Sequence, residues 1–151
     1  MVAVKHLENG ESDNSFGVNG TSIVDLGEHF IAAGLAIQKD RKVLVAGFTD
    51  RPPSEGNDFV GVRLMANGSR DADFGKNGVV TLDLSTTGTT SVFEDRAHSI
   101  LVQADGKIVI GGISDEYRPG ETRALTSVAL VRLNAQGSID TSYGVQGVSK
   151  I

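Results

Sequence analysis

Two apolar runs, each preceded by a polar turn, stand out in the pattern of hydrophobic and polar positions. Residues 103–107 (QADGK) lead into 108–110 (IVI), and residues 38–42 (QKDRK) lead into 43–46 (VLVA). A run without polar alternation is typical of a strand buried on both faces. The β-branched residues and flanking glycines favour strands over a short buried helix. Each copy therefore predicts a β-hairpin closed by a tight turn.

The other apolar segments extend this reading to an all-β chain. Strands are predicted over residues 2–6, 21–26, 30–38, 42–49, 59–65, 79–84, 97–103, 107–114, 127–133 and 148–151. Polar loops are predicted over residues 50–58, 85–96 and 115–126. Arg63 and Arg132 interrupt two of the strands. Each arginine either covers apolar surface with its stem or makes a repeated ion pair.

A turn signature, Asp-x-x-Phe/Tyr-Gly-x-x-Gly, occurs three times, at residues 13–20, 71–78 and 140–147. Its copies are 58 and 69 residues apart, with the differences confined to the polar loops. A period of this size with four strands per unit is typical of a propeller-like or other radial array. We expect each Asp to form an Asx turn and each aromatic ring to pin the turn to its sheet. Calcium binding by Asp71 and Asp73 is the functional alternative, although the regular calcium-loop spacing is absent.

These residues resemble the delta-60 repeat, a bacterial β-propeller repeat family. Its hallmarks are an Asp-x-Ser-Phe-Gly-x-x-Gly turn, a Gln-x-Asp-Gly-Lys hairpin and a strand ending in Arg-Leu/Tyr-Asn, and this chain matches them at residues 13–17, 103–112, 131–134 and 140–144. Arg41 replaces the turn glycine in one copy, and Asp73 replaces the serine in another. The resemblance covers nearly the whole chain. It implies a β-propeller fold and no general catalytic activity.

By analogy with other propellers, each unit is a blade of four antiparallel strands, a to d, with strand a nearest the axis. The chain then divides into a half blade (residues 1–26), blade one (27–84) and blade two (85–151) within one repeat domain. The half blade supplies only a c strand and a d strand. Two and a half blades cannot close a ring, because rings of this type usually need four or more.

The open ends of such an array imply a partner. A four-stranded blade face measures about 400 Å² from strand spacing and rise, a size at which exposed apolar surface usually marks an interface. We therefore expect self-association into a closed dimer or trimer, since closed symmetry is the norm. The rival interpretation is a fragment of a longer propeller without independent activity, or a half that pairs with another chain.

Charge and composition disfavour several classes of partner and of chemistry. The 151 residues carry a formal net charge of −5 and show no Lys/Arg cluster, which disfavours nucleic acid. No apolar run is long enough to cross a membrane, and no signal peptide begins the chain. We expect a cytoplasmic protein, unless the chain is excised from a secreted one. The absence of cysteine excludes disulfides and thiolate chemistry without fixing the compartment. No metal or cofactor motif is present, so we expect neither group.

The long loops are the expected place for ligand contact, because loops held by a rigid scaffold commonly bind. The candidate ligand-binding residues are Arg51, Asp58, Glu94, Asp95, Arg96, His98, Tyr117, Arg118 and Arg123. A solvated rim is the plain alternative. His98 aligns with Ala33 on strand a and can face the axis, as a channel-lining or core histidine more readily than as a ligand or general base.

The favoured function is a non-enzymatic scaffold that self-assembles and presents loops to a protein or carbohydrate. The alternative is a hydrolase or lyase with an inter-subunit axial site built from His98 and the cluster Glu94-Asp95-Arg96. The sequence identifies no catalytic residue.

Overall fold

A computed structural model describes residues 1–27, 29–52, 54–85 and 92–151, and within these ranges all regular structure is β. The strands are β1 (Val2–Val4), β2 (Thr21–Ile23), β3 (Phe30–Ile37), β4 (Val43–Thr49), β5 (Phe59–Leu64), β6 (Val79–Leu82), β7 (Val92–Val102), β8 (Ile108–Tyr117), β9 (Leu125–Leu133) and β10 (Val148–Lys150). In the described part of the chain, no helix has the length and apolar character needed to cross a membrane.

The strands form three antiparallel sheets. One sheet has the order β3-β4-β5-β6, another the order β7-β8-β9-β10, and β1 pairs with β2. We call these sheets blade one, blade two and the half blade. Successive strands are neighbours in every sheet, so strands a to d follow one another across each four-stranded blade. The expected all-β architecture of four-stranded antiparallel blades is confirmed.

The core lies between the sheets, on both faces of blade one. Leu44 and Ala46 of β4 belong to a cluster shared with β8 and β9 of blade two, whereas Val45 belongs to a cluster shared with the half blade. Alternate residues of one strand therefore point into two different interfaces. This arrangement confirms that the apolar run of β4 is buried on both faces.

Both innermost strands carry a β-bulge at the same repeat position. The pairing of β3 with β4 shifts between Ala32 and Gly34, and that of β7 with β8 shifts between Ala97 and Ser99. The bulged residues are Ala33 and His98, as the repeat alignment predicts.

The predicted loop over residues 85–96 is wrong at its end, because β7 already begins at Val92. Phe93 is buried and lies opposite Glu116, so the ladder starts before the charged residues that follow. The part of this loop at 86–91 lies outside the described residues.

The loop over residues 115–126 is likewise shorter than predicted. Strand β8 continues to Tyr117, and β9 begins at Leu125. Asp115 pairs with Thr126 in the ladder, and the Asp115 carboxylate accepts the Thr126 hydroxyl at 2.5 Å. A polar residue with an internal partner can stay within a sheet, and polarity alone therefore misplaced both loops.

The signature turns need their first glycine for steric reasons. Gly75 has φ +54°, and a Cβ there would lie 2.4 Å from the Val79 carbonyl oxygen. The same close approach occurs at Gly17 and Gly144. Such a position combines left-handed backbone with no room for a side chain.

Hydrogen bonds from these glycines also connect neighbouring blades. The Gly17 amide donates to the Asn67 carbonyl, and the Gly75 amide donates to the Gln136 carbonyl. The turns thus set the contact between successive blades at one end of the array.

The signature aspartates form the expected Asx turns and, in addition, ion pairs. In blade one, Asp71 Oδ2 lies 2.8 Å from Arg63 Nε and 3.0 Å from Lys42 Nζ. In blade two, Asp140 Oδ2 lies 2.7 Å from Arg132 Nε and 2.9 Å from Lys107 Nζ. Of the two alternatives given for Arg63 and Arg132, the structure therefore shows the repeated ion pair.

The lysine that contacts each aspartate follows the turn between strands a and b of the same blade: Lys42 in blade one and Lys107 in blade two. The hairpin turns and the signature turns consequently share one end of the blades. In the half blade, Asp13 pairs with Lys5 at 2.7 Å, and Lys5 occupies the repeat position of Arg63.

Candidate functional site

A charged cluster lies at the end of the blades opposite the signature turns, where β4, β5, β7, β8 and β9 begin or end. We call it the charged rim. Its members are Arg51, Asn57, Asp58, Glu94, Asp95, Arg96, Asp115 and Thr126. It brings together five of the sequence-predicted site residues, namely Arg51, Asp58, Glu94, Asp95 and Arg96.

Asn57 connects the two blades within the rim. Its backbone NH donates to the Phe93 carbonyl, and its carbonyl accepts the Asp95 amide. Its side chain donates to Glu94 Oε2 at 2.6 Å and accepts the Arg51 amide at 2.9 Å. The loop after β4 is thereby fastened to the first residues of β7.

Arg96 lies between two carboxylates on the same face of blade two. Its guanidinium is 2.9 Å from Glu94 Oε2 and 3.2 Å from Asp115 Oδ2. On blade one, Arg51 and Asp58 form a further ion pair at 2.6 Å. Most of the rim charge is thus compensated inside the chain, which leaves a rigid polar surface.

Asp95 is the fully buried carboxylate of the rim. Its Oδ2 accepts the Leu84 amide at 2.9 Å, while its Oδ1 has no hydrogen-bond partner among the described residues. Burial raises the pKa of Asp95, and hydrogen bonding and the Lys150 charge oppose that shift without cancelling it. Lys150 itself bonds to the Leu84 carbonyl and the Ser114 hydroxyl.

Three carboxylates of this region are close enough to share a cation. One oxygen each of Asp58, Asp83 and Asp95 lies within 4.8 Å of the others. Calcium takes six to eight oxygen ligands, and the Arg51 guanidinium already lies on Asp58. The three aspartates are far apart in sequence and are not spaced as in a metal-binding motif, so sequence reasoning missed their proximity.

The remaining predicted residues lie outside this network. Tyr117 is half exposed at the end of β8, on the same strand face as Asp115. Arg118 pairs with Glu116 through two hydrogen bonds of about 3 Å, and this pairing raises the pKa of Arg118. Arg123 is exposed between β8 and β9.

His98 occupies the bulge of β7 and is exposed. Its ring meets the edge of the Phe48 ring at a centroid distance of 6.5 Å. Glu94 and Arg96, the groups that an axial catalytic site would require, bond instead to Asn57, Asp115 and each other.

Sequence reasoning missed several members of the rim. Asn57, Asp115 and Thr126 were treated as loop residues, and Lys150, which is not a member but whose charge acts on Asp95, as the end of a strand. The repeat gives Asp115 an acidic counterpart in blade one, Asp50, 65 residues earlier, but it does not show which side chains Asp115 contacts. The pairing of β8 with β9 brings Asp115 to Thr126, and the pairing of β7 with β8 brings it close to Arg96.

Comparison with known proteins supplies the family. The family described as "Domain of unknown function (DUF5122) beta-propeller" matches residues 38–74 and 103–143, which is just over half of the chain. No curated protein and no solved structure matches the chain. The matched segments each begin at the hairpin glutamine and end at or near the aromatic residue of the signature turn. The chain belongs to the DUF5122 beta-propeller family, whose function is unknown.

Proposed function

We propose that this chain is a non-enzymatic propeller module that assembles through its open blade faces and presents the charged rim to a protein or carbohydrate. One observation carries the assembly: equivalent residues of successive blades differ in exposure. Phe59 of blade one is 0% exposed, whereas Val128, its equivalent in blade two, is 52% exposed. Val62 is 0% exposed, whereas its half-blade equivalent Val4 is 54% exposed.

The two exposed faces point in opposite directions along the array. Val128 lies on the face where a following blade would pack, and Val4 on the face where a preceding blade would pack. A contact between them is head-to-tail, which generates a ring when the rotation closes. Each chain contributes three blade positions, so a dimer gives six positions and a trimer nine. The resemblance to delta-60 repeats favours this propeller geometry.

Light scattering across a dilution series tests the assembly, with Val128→Glu as the disruptive variant. Val145→Glu is the matched control, because Val145 is exposed and Lys76 occupies the same repeat position in blade one. We expect a dimer or trimer for the wild type and the control, and a folded monomer for Val128→Glu. A folded wild-type monomer at all concentrations would overturn the assembly.

Ligand presentation is supported by the preformed rim and by Tyr117 beside it. An exposed aromatic ring next to fixed polar groups is a common way to hold a sugar ring or a peptide. An oligosaccharide array probed with wild type and Tyr117→Ala tests the carbohydrate branch. We expect binding that the variant loses. Equal array binding by wild type and Tyr117→Ala would contradict carbohydrate binding at the charged rim. No observation favours the hydrolase or lyase alternative.

A further inference from the structure

The half blade has an unpaired backbone edge on β1. Lys5 and Met1 bond across to Gly20 and Val24, and in an antiparallel pair the bonded residues alternate. The backbone NH and carbonyl groups of Val2 and Val4 therefore point away from β2. Among the described residues no strand pairs with this edge, whereas the equivalent edge of β5 pairs with β4.

An apolar surface next to this edge is uncovered as well. Leu35 and Ile37 of β3 are 61% and 66% exposed. Their equivalents in blade two, Ile100 and Val102, pack against the core shared with blade one. The strands that cover the equivalents are the a and b strands of the preceding blade, and the preceding half blade has neither.

A cleft of about 320 Å³ occupies the vacant position. It is lined by Val2 and Val4 on one side and by Ala33, Leu35 and Val45 on the other. We call this cleft, with the β1 edge and the exposed side chains of β3, the hairpin slot. The slot is continuous with the core that already joins the half blade to blade one.

The charges at one end of the slot indicate what fits there. Asp71 and Asp140 each pair with the lysine that follows the hairpin turn of their own blade, Lys42 and Lys107. Asp13 holds the same repeat position, yet among the described residues the cation that it pairs with is Lys5, the counterpart of the strand arginine, and not a hairpin lysine. A hairpin in the slot would bring the second cation to Asp13.

We infer that the hairpin slot binds a β-hairpin from a separate polypeptide, with the a–b pattern of this repeat. The hairpin consists of an apolar strand, a turn of the QADGK type with lysine at its end, and a second apolar strand. Its second strand pairs with the edge of β1, and its first strand, paired with the second, completes a four-stranded blade and covers Leu35 and Ile37. Such strand addition takes affinity from backbone hydrogen bonds and specificity from alternate side chains.

The repeat fixes the register of the bound hairpin. Val131 pairs with Ile110 in blade two, and Val4 is the half-blade equivalent of Val131. An incoming residue equivalent to Ile110 therefore lies opposite Val4, and the lysine equivalent to Lys107 lies beside Asp13.

A second copy of this chain is a poor source of the hairpin. Its own hairpins are already paired through β4 with β5 and through β8 with β9. Releasing one would dismantle a blade. The inference uses the backbone edge of β1 and the exposed side chains of β3, whereas the proposed assembly packs the Val128 face of one copy on the outer side-chain face of the half blade of the next.

A fluorescein-labelled peptide with the sequence of residues 96–114 is the probe, titrated with the full chain and followed by fluorescence anisotropy. The expected result is saturable binding of one peptide per chain. Hydrogen exchange should slow at the amides of Val2 and Val4, since both become bonded. No binding at the solubility limit of the protein overturns the inference.

Val4→Pro removes one outward NH donor from the edge while leaving the bonds to β2 intact. We expect about tenfold weaker binding from the loss of one hydrogen bond. Val4→Thr, which keeps the NH, should bind as the wild type does. Unchanged binding by Val4→Pro would exclude strand addition at β1.

The roles of the Asp13 charge and of the apolar β3 surface in peptide binding are each tested with a matched control. Asp13→Asn should weaken binding several-fold, and Asp140→Asn, whose lysine is supplied within the chain, should not. Leu35→Ser should weaken binding, and the similarly exposed Leu101→Ser on the other face should not. Equal effects within either pair would overturn the placement of the hairpin.

A second copy as occupant is a distinguishable outcome. In that case, without peptide, Val4→Pro would convert an oligomer into a monomer while Val4→Thr, which changes the same side-chain face but keeps the NH, would not, and the separate-hairpin inference would be wrong. Loss of assembly in Val128→Glu with unchanged peptide binding would leave the inference standing.

Discussion

The buried carboxylate of Asp71 offers the sharpest test of what holds the blades together. Asp71→Asn removes its charge but keeps the side-chain oxygen that accepts the Asp73 amide. Arg63 is 5% exposed and then loses its counter-charge, whereas Lys42 keeps its 3.7 Å contact with Asp40. Removing one partner of a buried pair typically costs 3–5 kcal/mol.

Two contacts move the expected value to the lower end of that range. The Arg63 guanidinium still lies 4.6 Å from the centre of the Phe74 ring and still donates to the Ala135 carbonyl. We therefore expect a loss of about 3 kcal/mol in the free energy of unfolding, equivalent to a fall in Tm of roughly 6–12 °C for a chain of this size.

Urea unfolding at pH 7 and fixed protein concentration measures this loss. Asp73→Asn is the control, because it removes the same charge from an exposed residue of the same turn. Asp140→Asn should cost less than Asp71→Asn, since Arg132 is more exposed than Arg63. A cost for Asp71→Asn within about 1 kcal/mol of the Asp73→Asn control would refute the argument that the buried pair carries the effect.

The same variant has a defined pH dependence. Burial acts to raise the pKa of Asp71, but Lys42, the Asp73 amide and Arg63 outweigh it, and the pKa is lowered. A lowered folded-state pKa contributes stability above the unfolded value of about 3.8, and this stability is lost as the pH falls through the folded value. The difference between wild type and Asp71→Asn should therefore narrow below pH 4. A constant difference down to pH 2 would contradict the assignment.

Three further substitutions test local features. Arg41 has φ +67° where Gly106 occurs in the other hairpin, so Arg41→Gly should raise the free energy of unfolding by about 0.5–1 kcal/mol in urea melts. Gly75→Ala should lower it by about 3 kcal/mol, because the added Cβ meets the Val79 carbonyl in left-handed backbone, while Gly10→Ala meets no atom within 4 Å and should cost less. Burial raises the pKa of Asp95, and a raised pKa costs stability above the unfolded value, so Asp95→Asn should be more stable than wild type at pH 7 and lose that advantage near pH 3.

The repeat explains why the fold was predictable to within a few residues. The hairpin turns at Asp40 and Asp105 and the three signature turns fix where strands end, and the apolar runs between them leave little choice of pairing. The errors fall where charged residues enter strands. Glu94 and Asp115 lie within β7 and β8 because Asn57, Arg96 and Thr126 satisfy them. Asn57 comes from the loop after β4 and Thr126 from β9, so local sequence does not reveal these contacts.

The candidate site was predictable only in part for the same reason. All eight members of the charged rim lie in the three segments that the sequence predicts as polar loops, but only five of them were predicted as site residues. Asp83 and Lys150 are contributed by the ends of d strands, where local sequence carries no sign of a shared site. A repeat reports what successive units share, and the rim is the part in which they differ.

The proposed assembly would cover the open blade faces of the chain, whereas hairpin binding would supply the a and b strands that the half blade lacks. A ring closed by copies of this chain brings a c–d half blade from each copy, and two c–d halves cannot make one blade, because both lack strands a and b. Assembly therefore leaves the hairpin slot unfilled in every copy. In the proposed assembly the Val128 face of a neighbour would pack against the half-blade position, and a bound hairpin would give it a four-stranded surface in place of a two-stranded one.

Any ligand that improves a subunit contact must, by linkage, bind the assembled form more tightly. Saturating amounts of the 96–114 peptide should therefore lower the protein concentration at which the oligomer dissociates, by the same factor as assembly tightens peptide binding. Val4→Pro should lose this effect, and Val4→Thr should keep it. A peptide that binds without moving the dissociation midpoint would place the slot away from the subunit contact, and the head-to-tail arrangement through the half blade would then be wrong.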